Sequence, residues 1–400
     1  MSKVLERCAM TEGNPKWEDA VSRVRPLYTR QNETRTPFFR DYTRIIHSSA
    51  FRRLKHKTQA FFSPQSDHIC TRIEHVLHVE SISTAISNSL GLNGELVRAI
   101  AIGHDLGHSP FGHKGEKVID AISRAETGES FWHEKNSLFF VDCIELLENS
   151  ERKRQNLNLT YAVRDGLICH CGESVRNHLF PREDKIDLSS ISVPGKVDPF
   201  TYEGCVVRMA DRISYVGRDI EDAVSLGILG ADKLAELTEL VGRFTGNKIN
   251  NTIIINYLIQ DLCLSSSPEN GICFSEATDE FFAMLRKFNY ENIYRVPRVT
   301  RADAYFELII RSIFDLLYSV YDGDNTMRRL AEFTGDYPQF GKAFLDWLDC
   351  YRTGPRADNL LNPPVFDPAI KQDYARAILS YIAGMSDKYA IDSYNEIISF

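Results

Sequence analysis

Three places in the chain bring histidine and aspartate together in a way that suits metal chemistry. His75 follows Arg72 by about one helical turn. His104 and Asp105 stand side by side at the mouth of a glycine-rich run, GHDLGHSPFGHKG. Asp211 lies farther on, in ADRISYVGRDIEDA. Imidazole nitrogen combined with carboxylate oxygen suits Fe, Mn, Zn, Ni or Mg-type centres without choosing among them. A site with few protein ligands keeps positions open for water and a phosphate oxygen. The competing account is a pair of core histidines satisfied by hydrogen bonds. A His-Asp pair inside such a glycine-rich turn weighs against it.

The same run carries His108 and His113, and His133 follows in FWHEKNS. An imidazole titrates near neutral pH and can pass a proton to a leaving oxygen. Glu116 stands one helical turn beyond His113, where it can hold and polarise that ring. Asp211, Tyr215, Arg218 and Asp222 are spaced by four, three and four, so they share one helix face, with Arg212 and Asp219 beside it. Arginine presents planar, permanently charged forks to phosphate oxygens, so the stripe suits a polyanion. The alternative is a solvated face laced with ion pairs.

The elements that must position these groups read as helices. Apolar residues recur at steps of three or four from Ile69 to Leu90. A second pattern through Leu96, Ala99 and Ile100 is opened by Asn93 as its cap. Ile100 precedes His104 by four residues, which sets that histidine on the inward stripe. Further helices are expected over Lys114–Ala125, Asn136–Leu147, Thr160–Cys169, Glu203–Leu226, Ala304–Tyr321 and Asp373–Tyr389. Pro181–Thr201 reads as a long connection, and Thr252–Tyr257 as strand or buried helix. The expected fold class is all-α.

A composition of 43% hydrophobic and 26% charged residues is that of an ordinary soluble protein, and no apolar run is long enough to span a membrane. The early Glu6 argues against a signal peptide. Nine scattered cysteines form no disulfide framework, which points to a reducing cytoplasm. A net charge of -8 opposes general nucleic-acid coating, though basic residues cluster between Arg23 and Lys57. Cys169, His170 and Cys171 are spaced too tightly for a structural zinc site.

Taken in order, TRIEH, GHDLGHSPFGHKGE and ADRISYVGRDIEDA, preceded by RDYTRIIHSSAFRRLKHKTQAF, resemble the deoxyguanosine triphosphate triphosphohydrolase-like branch of the HD superfamily over roughly residues 35 to 225. The resemblance implies a basic N-terminal helical segment (1–60), an HD core (61–226) and C-terminal helices packed on it (227–400). It implies a divalent metal on His75, His104, Asp105 and Asp211, and a catalytic set of His113, Glu116 and His133. Arg72, Arg212, Tyr215 and Arg218 would bind phosphate oxygens, with His108 against the triphosphate. Asp219 would recognise the sugar and Gln59 its 3′-hydroxyl. The implied reaction releases deoxynucleoside and inorganic triphosphate, with Mg accompanying the substrate. A homo-oligomer is also implied, with a nucleotide or single-stranded nucleic acid as allosteric partner. Two departures stand out. Arg212 replaces the acidic residue common after the last ligand, and FWHEKNS replaces the commoner Phe-x-His-Asn form. Other HD phosphohydrolases and a non-catalytic nucleotide-binding module are the competing readings.

Overall fold

A computed structural model describes residues 3–28, 32–62, 68–171, 176–246 and 250–399. In chain order, the elements used below are α1 (Arg72–Leu90), α2 (Gly94–Gly103), α3 (Gly112–Thr127), α4 (His133–Phe139), β1 (Leu146–Glu148), β2 (Arg154–Asn156), α5 (Tyr161–Cys169), α6 (Tyr202–Ser225), α7 (Asn251–Ser265), α8 (Glu276–Asn289), α9 (Asp303–Tyr318), α10 (Phe340–Asp349), α11 (Lys371–Ala383) and α12 (Asp387–Ile398). The fold is all-α, with β1 and β2 forming one small antiparallel hairpin. No helix among the described residues is long and apolar enough to cross a membrane.

The chain divides into two compact units that alternate along the sequence. The first comprises Met1–Ile45, Ser66–His104 and Leu159–Ala302; the second comprises Ile46–Gln65, Asp105–Asn158 and Asp303–Phe400. In the first, α1, α2 and α6 pack on one another, α5 joins α2 and α6, and α7 and α8 pack on α6. In the second, α3, α9 and α11 pack together, α12 lies against α9 and α10 against α11.

Local chemistry sets the helix ends. Thr71 and Glu74 form a capping box at the start of α1, and Gly91 ends it at φ 86°. Asn93 accepts from the amides of Glu95 and Leu96 at 3.0 and 3.2 Å, as its cap position requires. Two expected helices are interrupted. Over Asn136–Leu147, α4 stops at Phe139, a wide turn follows, and Leu146–Glu148 turns to strand pairing with Arg154–Asn156. Cross-strand pairing there overrides local helix preference. Over Asp373–Tyr389, the helix breaks at Gly384, a poor helix former, and Ser386 caps a new helix by accepting from the Tyr389 amide at 3.2 Å. Thr252–Tyr257 is helical, within α7.

That second break anchors the glycine-rich run. Lys57, buried in the second unit, donates from Nζ to the carbonyl oxygens of His108 and Ala383. Asp387 accepts from the Phe111 amide at 2.8 Å through one oxygen and from the Thr58 amide at 2.8 Å through the other. Phe111 takes a left-handed φ of 62°, which is costly for a residue with a side chain. Its ring compensates by stacking on Phe306 at 4.4 Å with 6° between the planes. Gly107 passes so close to the start of α4 that an added Cβ would lie 2.1 Å from the Ser137 nitrogen. Gly107→Ala is therefore expected to cost about 1–3 kcal/mol of stability by overpacking, measurable as a lower urea midpoint. An unchanged midpoint would contradict this tight approach.

Candidate functional site

The first unit gathers three of the expected metal ligands. His75, on the buried face of α1, brings Nε2 to 3.1 Å from Asp211 Oδ1 on α6. His104, at the end of α2, has Nε2 3.9 Å from the same oxygen. Its Nδ1 lies 2.6 Å from the Ala101 carbonyl oxygen, which can only accept, so Nδ1 carries a proton and Nε2 is the nitrogen left to face Asp211. Ligand atoms of His75, His104 and Asp211 all lie within 4.8 Å of one another, a donor set that fits a divalent ion. His170, at the end of α5, stands beside them with its ring centroid 4.9 Å from that of His104. The sequence shows it only within the Cys-His-Cys triplet and gives no spacing signal for this placement.

The α6 stripe is at most partly solvated: Asp211, Tyr215 and Arg218 are half-buried and Asp222 is buried, as are Arg212 and Asp219 beside it. Arg212 lies 5.1 Å from the Phe282 ring centroid on α8, a cation–π contact. Arg218 stands among carboxylates, 3.5 Å from Glu221 and 3.4 Å from Asp222. Tyr294 donates its hydroxyl proton to Asp219 Oδ2. Arg286 bears on Arg212 and Tyr215 electrostatically. Neither Tyr294 nor Arg286 sits in a recognisable motif, so the sequence reading did not place them here. Arg72 opens α1 and is buried.

The second unit gathers the rest. Glu116, on α3, has one oxygen 3.1 Å from His113 Nδ1 and 3.2 Å from His133 Nδ1. The His108 ring stacks on His133 at 4.0 Å with 18° between planes. Asp105 Oδ1 lies 3.9 Å from His108 Nε2 and 4.0 Å from His133 Nε2. Gln59 is half-buried two residues after Lys57. The chain passes from the first unit to the second at the peptide bond between His104 and Asp105. The basic run from Arg23 to Lys57 is partly consumed internally: Arg23 pairs with Asp41 at 2.6 Å, Arg53 with Glu145 at 2.8 Å, and Lys57 is buried, whereas Arg52, Lys55 and His56 are exposed.

A family model for the HD domain matches residues 72–216. A relative from Desulfatibacillum aliphaticivorans, described as a deoxyguanosinetriphosphate triphosphohydrolase-like protein, is 32% identical across 91% of this chain and 88% of its own length. Relatives of the same description come from Caldanaerobacter subterraneus (32% identity, 94% and 89% covered) and Clostridium tetani (31% identity, 98% and 94% covered). The chain belongs to the deoxyguanosinetriphosphate triphosphohydrolase-like family of HD-domain proteins. Membership makes it a phosphohydrolase of nucleotides, and HD domains bind divalent metal, which the His75, His104 and Asp211 cluster could hold.

Charge in this HD protein is redistributed by burial. Burial pushes the Asp211 carboxyl up, but the hydrogen bond from His75 and the charge on His104 more than offset it, holding the group at about 2. Burial would lower His133, yet Glu134 and Glu116 raise it to about 10, so it stays cationic at neutral pH. Glu116, pushed up by burial, is held far below the usual range by His133 and His113. Asp219 behaves oppositely: burial pushes it up to about 6, outweighing the Tyr294 bond. The folded protein thus holds that proton to about pH 6, whereas the unfolded chain releases it near 3.8. Its stabilising contribution is complete below the unfolded value and is lost as pH rises through about 6. Asp219→Asn, which keeps the neutral form, is expected to be more stable than wild type at pH 7.5 by up to about 3 kcal/mol. That advantage should disappear toward pH 4. Thermal unfolding across this range checks it, and an equal Tm at pH 7.5 would count against it.

Proposed function

We propose that this phosphohydrolase cleaves deoxynucleoside triphosphates, dGTP among them, into a deoxynucleoside and inorganic triphosphate. The observation that carries the reading is the single Glu116 carboxylate shared by His113 and His133. Water attacks the α-phosphorus in line, and the bond to the deoxyribose 5′-oxygen breaks. His113, whose side chain is 61% exposed, gives its proton to that departing oxygen in this reading. With Nδ1–H donated to Glu116, the Nε2 proton of the imidazolium is the one available for transfer. His133 remains protonated and, with His108 stacked on it, offers positive charge to the triphosphate. Arg72, Arg212 and Tyr215 bind phosphate oxygens; Arg218, surrounded by carboxylates, does so by exchanging those partners. Asp219 contacts the sugar and Gln59 its 3′-hydroxyl.

His75, His104 and Asp211 would hold the resident divalent ion (Mn, Mg, Fe, Ni or Zn), with Asp105, the next residue after His104, as fourth ligand. When bound, such an ion supplies Lewis acidity and makes water a usable nucleophile near neutral pH. A Mg ion travelling with the triphosphate offsets part of its charge.

Each of the four deoxynucleoside triphosphates, incubated with the enzyme plus Mn or Mg, is to be resolved by chromatography of products. Inorganic triphosphate is expected; orthophosphate or pyrophosphate would shift the reading to another HD phosphohydrolase. His104→Ala and Asp105→Ala are expected to lose bound metal and hydrolysis together. His113→Ala should keep its metal and lose about 10²–10⁴-fold in kcat. Wild-type turnover in His113→Ala would remove it as the acid.

A further inference from the structure

The second unit holds a cavity of about 490 Å³ that none of these residues lines. Its size falls among ordinary small-molecule sites, roughly 300–1,000 Å³. Aromatic rings supply flat faces. Trp347, on α10, has its ring centroid 4.9 Å from Tyr351 and 5.4 Å from Tyr381, and Tyr389 follows at 6.4 Å from Tyr381. Faces of this kind stack well on planar ligands.

The charged lining residues are Arg53, Arg154 and Glu145, which sum to +1 (two cations less one anion). Arg53 gives Nη2 to Glu145 at 2.8 Å, but its buried Nε has no hydrogen-bond partner. Arg154 has no carboxylate within ion-pair distance among the described residues; the side-chain partner of its Nη1 is the Cys350 sulfur at 3.8 Å, a weak acceptor. A guanidinium without a carboxylate and a buried donor without an acceptor stand beside these mutually tilted rings, a setting that suits an anion.

We propose that this cavity binds a planar aromatic anion, with its ring on Trp347 and Tyr381 and its carboxylate or phosphate on Arg154. A nucleoside monophosphate and an aromatic carboxylate share that chemistry. The ligand also acts on hydrolysis, a consequence that rests on the function proposed above. Gly384, Met385 and Ser386 line the cavity. They lie between Ala383, whose carbonyl accepts from Lys57, and Asp387, which accepts from the Phe111 amide. Since Lys57 also bonds the His108 carbonyl, one turn both lines the cavity and braces the loop bearing His108.

The test is calorimetric titration of the full chain with dGMP and, separately, indole-3-acetate. At least one probe is expected to saturate below about 1 mM. Arg154→Ala and Trp347→Ala should each weaken it about tenfold or more, with Arg154→Lys between. Without probe, Arg154→Ala should hydrolyse deoxynucleoside triphosphates as wild type does. With a saturating probe, wild-type kcat should change about fivefold or more while that of Arg154→Ala does not. Three results would each overturn the proposal: no saturable binding of either probe, binding indifferent to both substitutions, or occupancy that leaves kcat unaltered. Should the chain hydrolyse no deoxynucleoside triphosphate, the functional reading fails while calorimetry still reports on the cavity.

Discussion

A polar side chain that leaves water must recover its hydrogen bonds inside the protein, and this chain buries many such groups. Glu203 is fully buried and accepts from the amides of Met10 and Asn93, both at 2.9 Å, tying the N-terminal segment to the start of α2. Asp41, equally buried, takes Arg23 with one oxygen and the Thr160 amide with the other. Lys57 spends its ammonium on two carbonyls. Each is a long-range tie whose breakage would leave an uncompensated charge in the interior, and that penalty makes the arrangement specific.

The chemical groups follow the same rule. His104 faces inward because its helix stripe does, and its Nδ1 bond to Ala101 leaves the other nitrogen as a ligand. Glu116 satisfies two imidazoles and is in turn kept ionised by them. A cation held at His133 by two carboxylates, and a metal-suited cluster on α1, α2 and α6, are two solutions to one problem. Each unit builds its part from helices packed around it.

Much of this was legible beforehand. The periodicity from Ile69 to Leu90, the Asn93 cap and the all-α class all appear, because burial repeats every three to four residues and capping is local. His75, His104 and Asp211 converge as their helix positions suggest. What stayed hidden depends on distant partners. Nothing in DCIELLE announces that Glu148 will pair with Arg154. Lys57 looks like one more member of a basic run, and only its carbonyl partners reveal a buried brace. Tyr294 and Arg286 lie far beyond the motifs, and reach α6 through packing that no spacing encodes.

The alternation of the two units bears on how the polypeptide comes into being. Neither unit is a continuous stretch: the first needs residues up to Ala302, and the second draws on Asp303–Phe400. On the ribosome, α1 and α2 emerge long before α7 and α8 can cover α6, and the HSPFG loop waits for α11 and α12, which lie far downstream of it in the chain. Its histidine, His108, therefore acquires its setting only once α11 and the start of α12 have been made, so a product terminated before them is left with an unbraced loop rather than a smaller working enzyme.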